Sequence, residues 1–153
     1  MVPFVPFLKQ EQLLRWAFGH FRAGTNGLAE KSRDTGVTTS IAVGLFLHQW
    51  LFEDGFAGGI GSRKAELVDK LDDPKAVFHK LRYCLETLPV WMLPRGYNPD
   101  KHAKHMLLLN PETGGTITGE AGQEIGRGGR TSVYLLDEHA FMPHARQVER
   151  ALS

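Results

Sequence analysis

A single cysteine, Cys84, stands among the 153 residues, so the chain can form no internal disulfide and offers no cysteine-built zinc cage. That fits a reducing compartment. Neither sign of charge is in excess: 18 Lys and Arg oppose 17 Asp and Glu, a formal net charge of +1. No global field therefore draws the chain to nucleic acid or to a membrane surface, and any basic patch is local. Long apolar runs are missing too. The longest, residues 41–52, is broken by His48 and Gln49 and is too short to span a bilayer. The N-terminal MVPFVPFLKQEQ is interrupted by Pro3 and Pro6 and has neither a basic leader nor a small-residue cleavage site, so it does not read as a signal peptide. Repeats and low-complexity segments are also lacking. The chain reads as one soluble domain, long enough to bury a core and not associated with a membrane.

What is present is an alternation of strand and helix patterns. Residues 9–21 place Leu13, Leu14, Ala17, Phe18 and Phe21 at helical spacing. A short strand is expected at 27–32, a largely buried helix at 38–52 ended by Asp54-Gly55, a second strand at 57–62 and a helix from about residue 63. Asp73-Pro74 suits the start of a helix running to 88. After a loop at 89–100 rich in proline and tryptophan come strands at 105–110 and 116–120, a glycine turn at 126–130, a strand at 132–136 and a last helix near Pro143. This order predicts an α/β sheet with covered faces and one antiparallel hairpin at 105–120. The terminal VERALS stops inside a helical pattern without a cap, which leads to the expectation of an incomplete protein.

Two stretches carry candidate chemistry. KSRDTGVTT, residues 31–39, sits where a strand should hand over to a helix. Gly36 allows close backbone approach, helix N–H groups suit phosphate oxygens, and a hydroxyl at Thr38 or Thr39 can reach a metal ion. Val37 stands where a phosphate-binding loop usually has its lysine. On this stretch alone, a plain helix N-cap by Thr38 explains as much. The second stretch, YLLDEHA at 134–140, is an apolar strand ending in two carboxylates. Asp137 could organise Mg²⁺ and Glu138 orient or deprotonate a water; the plainer alternative is a strand end capped by solvated acids. GRGGR, residues 126–130, adds two arginine forks suited to phosphate, or else a solvated hairpin tip. His102 and His105 lie three apart with no third ligand evident nearby, and read as surface or loop residues. Trp16, Trp50 and Trp91 read as core or rim.

Taken together, KSRDTGVTT, GSRKAELVDKLDDPKAVFHKLR, LNPETGGTITGEAGQEIGRGGRTS and VYLLDEHAF resemble the ATPase domain of phage terminase large subunits, over nearly the whole chain. The resemblance implies a P-loop NTPase of the ASCE type: a mainly parallel sheet flanked by helices in three α/β/α layers, with 1–153 forming one ATPase domain. It implies ATP and Mg²⁺ as cofactors. The phosphate loop would comprise Lys31, Ser32, Arg33, Thr35, Gly36, Val37, Thr38 and Thr39, with Lys31 as a cation displaced toward the front. Thr38 and Asp137 would hold the metal and Glu138 would act on water. Arg127, or second Arg130, would be an arginine finger, worth roughly 10³–10⁵ in rate where one operates. PFLKQEQLL resembles an adenine-recognising glutamine motif, with Gln10 ahead of Gln12. Double-stranded DNA, a portal protein, a small terminase subunit and further copies in a ring are the implied partners, in the host cytoplasm at the procapsid and not in the mature virion. Relatives carry a nuclease domain after the ATPase, so this chain is expected to be the front part, binding nucleotide with weak or absent turnover and not cleaving DNA. A helicase-like DNA translocase and a degenerate, non-hydrolysing assembly or DNA-binding module are the competing readings.

Overall fold

The computed structural model describes residues 6–31, 35–122, 125–126, 129–142 and 145–152. Helix α1 (Leu8–Ala23) is amphipathic, as its spacing predicts, and ends at Gly24 in the left-handed region. An unbroken helical rod follows: α2 (Val37–Ile41), a π-helical stretch (Ala42–Leu47) and α3 (His48–Phe52). Ile41, Ala42, Leu45, Phe46, Leu47 and Trp50 are all buried along it, so the rod is the largely interior helix that its composition implied. Then come β1 (Ala57–Ser62), α4 (Ala65–Val68), α5 (Val77–Thr87), α6 (Pro99–His102), β2 (Ala103–Lys104), β3 (Leu107–Leu109), β4 (Thr116–Ala121), β5 (Val133–Leu136) and α7 (Ala145–Ala151).

The strands form one five-stranded sheet in the order β2-β3-β4-β1-β5. β1 runs parallel to both β4 and β5, whereas β2–β3 and β3–β4 are antiparallel. The sheet is therefore mixed, not mainly parallel: the expected hairpin supplies the β3–β4 pair, and the short strand β2, not expected from the sequence, adds a second antiparallel pair to match the two parallel ones. Alternation of side chains sorts its two faces. Ile60, Ile117, Val133 and Leu135 pack on the main core with the helical rod and α5. Tyr134 and Leu136 face a smaller cluster of Ile125, Met142 and Val148, to which α7 contributes.

Three expected elements differ. Of the strand expected at 27–32, the described part, 27–31, is exposed and irregular. Asn26, Gly27, Glu30 and Lys31 have little strand preference, and Gly27 is pressed against the Trp16 ring, where a Cβ would sit 2.4 Å from Cζ2. The helix expected from 73 begins only at Val77. Asp73 instead folds into a turn, its Oδ1 accepting the Lys75 N–H at 3.0 Å. The helix after β1 is a single turn, Ala65–Val68. Of the tryptophans, Trp50 is fully buried and Trp91 is 82% exposed. Among the described residues, no helix is long and apolar enough to cross a membrane.

Candidate functional site

The site lies where the helical rod begins and β5 ends. Gly36 precedes α2 with φ 71°, a left-handed conformation that favours glycine, and a Cβ there would sit 2.9 Å from Gln10 Nε2, which would have to shift. Among the described residues, no side chain caps α2. Thr38 is therefore not the N-cap that the plainer reading assigned: it is the second residue of the helix, and its hydroxyl turns elsewhere. The first N–H groups of the rod and the helix dipole favour an anion at this helix start.

The Thr38 hydroxyl reaches Asp137, 3.1 Å from Oδ1 and 3.2 Å from Oδ2. Lys31 Nζ donates to both of them, at 2.5 Å to Thr38 Oγ1 and 2.9 Å to Asp137 Oδ1. The three side chains are partners across 106 residues of sequence. Asp137 is placed by the sheet, for its N–H continues the β1–β5 ladder by donating to Gly61 O at 2.9 Å. Thr38 and Asp137 present oxygen donors to one point, which the Lys31 ammonium now shares. This is the hard, oxygen-rich donor set that suits Mg²⁺ held by one or two protein groups and phosphate oxygens.

Gln10 lies beside the loop but is engaged by backbone at both ends. Its Oε1 accepts the Phe7 N–H at 3.1 Å and its Nε2 donates to Thr35 O at 3.2 Å. In this state it ties the start of α1 to the loop. Glu138 stands next to Asp137 with φ 57°, a left-handed turn uncommon outside glycine. Its Oε2 accepts from Arg63 Nε at 2.9 Å. Arg130 is exposed. The residues that follow it lie against the start of β1, where the Ser132 N–H donates to Ala57 O at 2.6 Å, whereas Asp137 leaves the opposite end. Ser32, Arg33 and Arg127 lie outside the described residues.

No protein-family model and no curated protein matches the chain. The site's meaning rests on its own geometry.

Two residues that sequence reasoning passed over belong to the neighbourhood. Arg63 is one. The β1–β5 register pairs Gly61 with Leu136, so Ser62, which ends β1, and Arg63 after it run alongside residues 137–138 beyond β5. A cation directly after one apolar strand and an acid directly after another was the available signal. Lys80 is the second. Its Nζ donates to the carbonyls of Pro74, Lys75 and Ala76 at 2.5, 2.9 and 3.4 Å. Burial pushes its pKa down, opposed by the charges of Asp137 and Asp73. Lys80 therefore lies in the field of the site without bonding to it. His102 is the last residue of α6, not a loop residue, and its Nδ1 accepts the Asn98 N–H at 2.9 Å, while His105 is mostly exposed in the β2–β3 turn beside Asp69.

Proposed function

We propose that this chain is a P-loop-type ATPase of the kind that drives double-stranded DNA into a viral procapsid, as in the large subunit of a phage terminase. One observation carries the reading: the Lys31–Thr38–Asp137 cluster stands at an uncapped helix N-terminus, on the edge where two parallel strands end. In open sheets of this kind, ligands bind outside the carboxyl ends of the strands. In this reading the N–H groups of residues 37–39 take phosphate oxygens and Lys31 moves from Asp137 to the phosphate. Thr38 and Asp137 hold Mg²⁺, which when bound neutralises charge on the transferred group. Glu138 orients the attacking water. DNA, portal, small subunit and ring partners belong to the proposal through the resemblance alone.

The Arg63–Glu138 pair favours one second reading, a nucleotide-binding domain that does not hydrolyse, because it occupies the carboxylate that water activation needs. The two are separated by titrating a fluorescent ATP analogue with Mg²⁺ and measuring phosphate release. ATPase function predicts that Lys31→Ala weakens binding about tenfold or more, and that Glu138→Gln binds as wild type but releases no phosphate. Equal affinity of wild type and Lys31→Ala would remove Lys31 from the site. Binding without release in the wild type would favour the second reading.

A further inference from the structure

β1, AGGIGS, runs through the middle of the sheet with almost no side chains. Its residues alternate between the two faces. A Cβ at Gly58 would sit 2.9 Å from Phe46 Cδ1 on the helical rod, whereas one at Gly59 or Gly61 would run into the Tyr134 ring on the opposite face. Ile60 packs on the main core beside the rod. Ser62, two residues on, therefore shares the rod's face. On the other face the Tyr134 hydroxyl has a partner, donating to Glu120 Oε2 at 2.8 Å. Ser62 is not served in this way: it is 1% exposed, and among the described residues its Oγ has no hydrogen-bond partner.

A buried hydroxyl without a partner destabilises a fold, so one that persists calls for a reason. The position of Ser62 supplies one. β1 ends at Ser62, and Gly61 is in register with Leu136, so Ser62 stands abreast of Asp137. The Asp137 carboxylate turns to the same rod, where it meets the Thr38 hydroxyl. Thr38 and Asp137 are engaged with each other and with Lys31, whereas the Ser62 oxygen beside them is not. Mg²⁺ held by one or two protein groups keeps several of its waters, and those waters need partners of their own. A hydroxyl both donates and accepts, which suits that task. Ser40 provides the contrast. Its Oγ is also buried and, among the described residues, unpartnered. It lies two residues, roughly 200°, around the rod from Thr38 and so faces away from the metal donors.

We infer that Ser62 is a positioning residue for the metal: its hydroxyl holds a water molecule in the shell of a Mg²⁺ ion whose protein ligands are Thr38 and Asp137. The inference rests on the ATPase reading and adds to it a group that touches neither nucleotide nor metal. It also gives the buried hydroxyl its reason, because the partner arrives with the ion.

Ser62→Ala and Ser40→Ala test it in the whole chain. Without nucleotide and metal, neither should lower the urea midpoint, since each removes a hydroxyl that has no bond to lose. Ser62→Ala should raise the Mg²⁺ concentration for half-maximal binding of the fluorescent ATP analogue about tenfold, the loss typical of an outer partner of a metal. Ser40→Ala should keep the wild-type value. Affinity measured with a chelator in place of Mg²⁺ should be the same in all three proteins. A wild-type Mg²⁺ requirement in Ser62→Ala overturns the inference, and so does an equal rise in Ser40→Ala. A lowered midpoint in Ser62→Ala also overturns it, for the hydroxyl would then be bonded already in the nucleotide-free chain. A wild type that binds no analogue, or binds it without regard to Mg²⁺, refutes the ATPase reading and this inference with it; Mg²⁺-dependent binding that Ser62→Ala leaves unchanged refutes the inference alone.

Discussion

Replacing Asp69 by Asn removes an almost fully buried charge that joins three parts of the fold. The Asp69 side chain is 1% exposed and its partner Arg82, on α5, is 16% exposed. Arg82 donates to both carboxylate oxygens, at 2.7 and 2.6 Å, and also to Lys104 O at 3.1 Å. Asp69 Oδ2 further accepts the Met106 N–H at 2.6 Å, in the β2–β3 turn where Met106 adopts φ 57°. Asparagine offers one acceptor oxygen and an NH₂ that would face donors, so at least one of these partners loses its bond and the guanidinium keeps an uncompensated charge. Breaking a buried pair in this way costs about 3–5 kcal/mol, out of roughly 5–15 kcal/mol for a whole domain. Urea unfolding followed by tryptophan fluorescence, with Trp50 fully buried as a reporter, should show a lower midpoint at unchanged slope. The pH dependence gives a second check. Burial raises the Asp69 pKa, but the Arg82 hydrogen bonds, the Met106 N–H and the charges of Arg82 and His105 outweigh it and hold the carboxyl below its ordinary value of 3.8. A depressed folded pKa means that the stabilisation is fully present above about pH 4 and is lost as the pH falls through the folded value. The gap between wild type and Asp69→Asn should therefore close in acid. A cost under about 1 kcal/mol at neutral pH, or a gap that stays constant into acid, would refute the reasoning.

Two further outcomes follow from the sheet. Gly59→Ala drives a methyl group into the Tyr134 ring; it should cost about 1–3 kcal/mol by overpacking, read as a lower urea midpoint. Arg63→Ala frees the Glu138 carboxylate while removing only a half-exposed pair, worth about 0–1 kcal/mol; phosphate release should rise at unchanged stability, and a fall to the Glu138→Gln level would show that Arg63 assists the reaction and does not restrain Glu138.

Much of the centre of the fold was legible, and the margins were not. α1, the helical rod and β5 each carry an apolar period or run, and burial rewards that pattern wherever the chain goes. Residues 27–31 had only Leu28 and Ala29 to offer a strand, and Gly27 found a better fit against Trp16. The start of α5 moved because the Asp73 side chain competes locally for backbone N–H groups, which composition does not reveal. At the site, the convergence of Lys31, Thr38 and Asp137 agrees with the residues singled out from the sequence. The Arg63–Glu138 pair was not legible, because it depends on strand register, a property that two separate segments have only once they are paired. Gln10 illustrates the reverse: its motif suggested a base contact, whereas its amide is bonded to two backbone groups.

The bareness of β1 also constrains how this sequence can change over time. A side chain at Gly58 meets Phe46 and Phe56, while one at Gly59 or Gly61 meets Tyr134. Substitutions in AGGIGS are therefore not independent events; each becomes acceptable only after a bulky neighbour on another strand or helix has shrunk. Loss of the Tyr134 ring would open two positions at once and detach Glu120 in the same step. The strand and its cover are thus tied together as one heritable unit, though 73 residues of chain separate Gly61 from Tyr134.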